Sequence, residues 1–235
     1  MIKLLILFVS LIGLWAAACK AGSILWYAIL SIVSLYFLVK NKNITKNDFL
    51  IGILLGMLST PGAWIMGVVT PLAYLGSISV FRKYDCGIAL LKPGEKQVRQ
   101  TISGGLGIGI ILGIINLFLG DSVLQISLHW RWLWISMTAG IAEEVIFRML
   151  FFAMCVQILK KPQISTAENI LCYLIMIIPH VLLHFNLETV SLGNVLVLTL
   201  LFGLPFALQQ RKRDLTSAMI SHFLVDFIRF TLLGC

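Results

Sequence analysis

The sequence predicts an all-α fold, a polytopic transmembrane bundle of about eight helices, and three observations carry that prediction. Of the 235 residues, 59% are hydrophobic and only 12% are charged, and the mean hydropathy of +0.98 lies outside the range of soluble domains. Apolar runs of roughly 16 to 28 residues recur between short polar breaks, matching the ~20 residues a helix needs to cross ~30 Å of hydrocarbon. The alternation of polar and apolar residues that marks a membrane barrel does not occur.

The apolar runs cover 4–19, 24–39, 48–81, 102–120, 131–159, 168–185, 190–208 and 215–233. The first, "MIKLLILFVSLIGLWAAACKAG", has one lysine, an apolar core and small residues before Cys19. It reads as a first transmembrane helix, with a cleaved lipoprotein signal as the alternative. The third run is long enough for two short spans hinged at Pro61-Gly62, or for one span and an interfacial piece. In the fourth, "SGGLGIGIILG" spaces Gly105, Gly109 and Gly113 by four residues, which lets another helix approach closely along one face. No strand precedes it and the spacing is not that of a dinucleotide fingerprint. The fifth opens on "HWRWLW", where Trp130, Trp132 and Trp134 fit an interfacial aromatic belt and His129 reads as an interfacial residue. No domain boundary is visible, so residues 1–130 read as N-terminal transmembrane helices and 131–235 as a helical core, within one integral domain.

The net charge of +8 does not point to nucleic acid here, because the basic residues gather in the breaks. Clusters lie at Lys40, Lys42 and Lys46, at Arg82 to Arg99, at Lys160-Lys161 and at Arg211 to Arg213. With a hairpin in the third run all four fall on one side, which the positive-inside rule makes cytoplasmic. Cys19, Cys86, Cys155, Cys172 and Cys235 show no paired spacing, so neither a disulfide framework nor a zinc knuckle is expected. The terminal "LLGC" is expected to carry no prenylation signal.

The stretch "IAEEVIFR", Ile141 to Arg148, sets two adjacent carboxylates inside a long apolar run. An ionisable group at such depth costs at least ~2.5 kcal/mol, so Glu143, Glu144 and Asp226, with His180, His184 and His222, should face one another or a water-filled cavity. Glu144 and Arg148 are four apart and can pair on one helix face, while Glu143 points elsewhere and stays free to take a proton from water. A packing salt bridge would need only one of the two glutamates. His180 with His184 in "PHVLLHFN", and His222 with Asp226 in "SHFLVDF", repeat the same spacing. Together Glu143, His184, His222 and Asp226 hold what amide hydrolysis requires: a base for water, donors for an oxyanion and a proton source for the leaving amine. The same four could instead bind one divalent metal such as zinc, or no cofactor at all. The HExxH motif is missing, which excludes a zincin.

These motifs resemble those of the CPBP intramembrane proteases, which include the CAAX prenyl endopeptidases and the bacterial Abi or bacteriocin self-immunity proteins. "EEVIFR" stands for the family's EExxxR, "HVLLH" for FxxxH and "HFLVD" for HxxxN or HxxxD, in the same order. The resemblance covers 131–233. It implies that Glu143 activates water, that Glu144 and Arg148 fix the helix and its charge, and that His184 and His222 complete the site. The resemblance leaves the mechanism open between a glutamic and a metalloendopeptidase one. The resemblance further implies a membrane-embedded endopeptidase in a bacterial cell membrane, acting among lipids on a peptide or protein substrate, lipidated or not. Two positions depart from the pattern: Asp226 is often asparagine, which can donate to an oxyanion as an ionised aspartate cannot, and His180 stands where phenylalanine is usual.

Two other readings compete. A membrane immunity or scaffold protein would keep the motifs without using them. An ion-coupled transporter would use intramembrane carboxylates as a proton relay, but would be expected to repeat them in both halves. The site reading also makes a structural demand. If 168–185 and 190–208 are full spans, His184 and His222 lie ~20 Å apart by helix rise, so "HFNLETVSLGN" should bend within the protein interior.

Overall fold

The computed structural model describes residues 1–119 and 124–234; Cys235, and with it the expectation about the terminal cysteine, lies outside them. Among the described residues there are nine helices and no strand. Helices α1 (Ile2–Ala21) and α2 (Ile24–Asn41) are followed by α3 (Lys46–Ser59) and α4 (Trp64–Tyr84), then α5 (Glu95–Leu117). A composite helix runs from α6 (Trp130–Thr138) through π-helical turns at Ala139–Met149 into α7 (Leu150–Leu159). After α8 (Thr166–Leu182), a second composite joins α9 (Leu192–Leu198) through Thr199–Gly203 to α10 (Leu204–Lys212), and α11 (Leu215–Leu233) closes the bundle. Among the described residues six helices are long and apolar enough to cross a membrane, and the chain is an integral, multi-pass membrane protein.

Local chemistry sets the ends. Thr45 and Asp48 form a capping box at α3, Ser165 and Glu168 another at α8, and Asp214 accepts from Ser217 N at the start of α11. The third apolar run is a hairpin, broken where Pro61-Gly62 was expected to hinge it. Thr138 stitches that turn to the π-helical segment: its hydroxyl accepts from Gly62 N at 2.9 Å and donates to Ser59 O at 3.1 Å. α1 is one uninterrupted helix, and Trp15 Nε1 donates to Phe185 O at 3.1 Å.

The glycine face works as expected. A Cβ on Gly109 would stand 2.9 Å from Ser221 Cα and from Leu224 Cβ, so α5 and α11 pack closer than side chains permit. The four basic clusters do share one end of the bundle. Asn41 bonds to Gln157, Arg82 pairs with Asp48, and Lys92 Nζ donates to Lys212 O. Of the 18 lysines and arginines, Lys20, Arg131 and Arg229 lie towards the opposite end and Arg148 inside.

The connection after α8 differs from expectation. It does bend, but Asn186, Leu187, Glu188 and Thr189 are exposed, so the bend lies at the surface. Its backbone is satisfied locally, Asn186 Oδ1 accepting from Glu188 N and Thr189 N. The two histidine-bearing helices meet without an interior break because α8 ends at Leu182 and His184 turns back, its N–H donating to Val181 O at 3.1 Å.

Candidate active site

The π-helical turns carry both glutamates. Widening a helix in this way re-aims successive side chains and recurs at functional sites. The widening is supported from α11, where a Cβ on Gly140 would lie 2.8 Å from Phe223 N and 3.0 Å from Met219 O. Only glycine lets the two backbones come so close.

Glu144 is fully buried and pairs with Arg148, as its spacing predicts. It also reaches across to α11: Glu144 Oε1 accepts from His222 Nδ1 at 2.7 Å. Gln210 on α10 donates to Glu144 Oε2 at 3.2 Å and to its backbone oxygen at 3.0 Å. The His222 ring lies flat against Phe206, centroids 4.8 Å apart, and the Arg148 guanidinium sits 5.3 Å from the same phenylalanine ring. Since Nδ1 is committed to Glu144, His222 presents Nε2, which lies 3.7 Å from both Glu143 Oε2 and Asp226 Oδ2.

Glu143 keeps 17% of its side chain accessible and does not touch Arg148. Its Oε2 lies 2.8 Å from Nε2 of His180, which is buried and stacked on Phe147 at 5.2 Å. His184 is exposed, with its ring 5.6 Å from that of His180. A cavity of about 370 Å³ adjoins the glutamate and is lined by Arg148, His180, His184, His222, Asp226 and Arg229. Of the six residues expected at the site, Arg148, His184, His222 and Asp226 line this cavity, and Glu143 and Glu144 stand behind its wall, in contact with His180 and His222.

Residues 125–228 match the family model described as type II CAAX prenyl endopeptidase Rce1-like. That stretch, just under half of the chain, is similar to the Rce1-like family. No curated protein and no solved structure matches the chain. The matched stretch contains every residue of the site described above except Arg229, and α1 to α5 lie outside it.

Three contributors within the Rce1-like stretch were not singled out from the sequence: Gln210, Phe206 and Phe147. Gln210 lies next to the basic cluster of Arg211 to Arg213 and looks like part of that polar break. The two phenylalanines are indistinguishable in sequence from lipid-facing ones. His180 was noticed, and its contact with Glu143 gives it a definite place.

Divalent metal ligands need neutral imidazole or carboxylate groups a few ångströms apart. Glu143, His180 and His184 meet that condition, each offering an atom within 4.8 Å of the others. His222 is committed through Nδ1 to Glu144, and its Nε2 stands 3.7 Å from Asp226.

Proposed function

We propose that the protein hydrolyses a peptide bond of a membrane-associated peptide or protein, using Glu143 as the base that activates water. The observation that carries this reading is the contrast between the neighbouring carboxylates. Glu144 is consumed by Arg148, His222 and Gln210, whereas Glu143 faces histidines at the cavity. A purely structural ion pair with Arg148 needs one glutamate, and gives no reason for a second to be set among histidines in hydrocarbon.

In this reading a water beside Glu143 gives its proton to the carboxylate as its oxygen attacks the scissile carbonyl carbon. Charge develops on the carbonyl oxygen. His222 Nε2, oriented through Nδ1 by Glu144, donates to that oxyanion when the ring carries both protons. When the carbon–nitrogen bond breaks, the proton held by Glu143 passes to the leaving amine, giving one new carboxyl and one new amino terminus. His184, at the exposed edge of the cavity, holds the attacking water or the substrate backbone. Asp226 keeps Nε2 of His222 in place. A divalent ion held by Glu143, His180 and His184 would add polarisation of bound water.

Substrate reaches the cavity from the end opposite the basic clusters. The lining runs along α11 from His222 to Arg229, away from Asp214 and the basic end. With that end cytoplasmic, the entrance lies in the outer half of the membrane. Its apolar walls, including Phe202 and Phe206, suit a lipid-embedded or lipidated peptide.

The test is cleavage of membrane peptides by the full chain in lipid nanodiscs. Glu143→Gln keeps size and hydrogen bonding but removes the base, and should lower the rate by at least about 100-fold. Unchanged cleavage in Glu143→Gln would overturn the reading, and a scaffold would retain its phenotype in that variant.

A further inference from the structure

We infer that Glu143, His180 and His184 form a binding site for one divalent first-row transition-metal ion, for which zinc is the probe. One carboxylate oxygen and one nitrogen from each imidazole lie within 4.8 Å of one another. Ligands bound tetrahedrally at ~2.0–2.1 Å stand roughly 3.4 Å apart, so small side-chain rotations close the set around an ion. His180 Nε2 and Glu143 Oε2, now 2.8 Å apart in a hydrogen bond, would open by a few tenths of an ångström to share the ion.

The surroundings favour this over a simple hydrogen bond. His180 lies in the last turn of α8 and His184 in the turn that follows, which brings their rings to 5.6 Å. Phe147 stacks on the His180 ring and fixes its plane, so the nitrogen is held in place before any ion arrives. His180 Nδ1 is buried with no hydrogen-bond partner among the described residues. An ion bound through Nε2 would take the place of the proton now shared with Glu143, leaving the ring's proton on Nδ1. Glu143 is the carboxylate not engaged by Arg148, and the exposed His184 gives an ion a way in. Nitrogen and oxygen donors of this kind suit zinc and its first-row neighbours better than calcium or magnesium. Family resemblance does not supply this site, because it places phenylalanine where His180 stands.

The inference does not rest on the peptidase reading, and its test needs no substrate. The full chain, purified in detergent without a polyhistidine tag and stripped with chelator, is titrated with zinc by calorimetry. One equivalent should bind saturably, and His180→Phe should weaken binding at least about tenfold. His184→Ala should do the same, and it replaces His180→Phe if that variant does not fold. His129→Ala, at the bundle's far end, should bind as wild type does. Cobalt in place of zinc should give ligand-field absorption with no thiolate charge-transfer band. No saturable binding, wild-type affinity in both site variants, or a thiolate band from the free cysteines would each overturn the site.

Discussion

His222 on α11 holds its Nδ1 2.7 Å from Oε1 of Glu144 on the π-helical segment, so the second glutamate of the pair orients a histidine as well as neutralising an arginine. Four side chains, Arg148, Glu144, Gln210 and His222, thus form one buried network that draws three separate helices together.

Breaking that network should cost stability as well as activity. Arg148→Ala leaves Glu144 buried without its cation, and such losses cost about 3–5 kcal/mol. Thermal unfolding in detergent should show a large drop for Arg148→Ala and for Glu144→Ala. The double variant should fall short of the sum of the two, because the residues share one interaction.

Gly140→Ala should separate the π-helical segment from α11. The new methyl would meet the backbone at Phe223 N and Met219 O, which cannot rotate away. A loss of about 1–3 kcal/mol is expected from the overpacking, with a fall in cleavage rate as Glu143 and His222 move apart. Gly107→Ala, where an added Cβ meets nothing within 4 Å, should leave both unchanged. Unfolding curves and cleavage rates of the two variants make the comparison.

Asp226→Asn should stay within about tenfold of wild type, since the amide still reaches His222 and gains a donor that can face the oxyanion. Asp226→Ala removes the group that keeps Nε2 of His222 in place and should lose about 100-fold, the scale of one oxyanion contact. Rates for the two variants against a single cleavable peptide decide it.

The cavity entrance should label from outside the cell. In a background without native cysteines, Glu188→Cys, in the exposed loop after α8, should react with a membrane-impermeant maleimide in intact cells. Lys96→Cys, at the basic end, should react only after the membrane is opened. The reverse pattern would place the entrance on the cytoplasmic side.

Much of this was legible in the chain because hydrocarbon makes polar residues conspicuous. Glu144 and Arg148 had to pair, the Pro61-Gly62 break had to turn, and the stripe of Gly105, Gly109 and Gly113 had to face another helix. What was not legible depends on which way a side chain faces once helices pack. Phe206 and Phe147 look like any lipid-facing residue until their rings lie on His222 and His180. The partnership of Glu144 with His222 spans 78 positions and uses a π-helical register, for which a pattern read at 3.6 residues per turn has no sign. The loop after α8 was placed inside because straight spans would have kept His184 and His222 apart; the early end of α8 and the turn at His184 remove that need.

The most direct test follows the oxygen of the attacking water. Wild type and Glu143→Gln, each in lipid nanodiscs, are incubated with a library of membrane peptides in heavy-oxygen water, and new C-termini are read by mass spectrometry. Wild type should yield C-termini bearing the heavy oxygen at defined sites, and the variant should yield none above background. Labelled termini at the same sites and rate from Glu143→Gln, or no cleavage by wild type at all, would contradict the account.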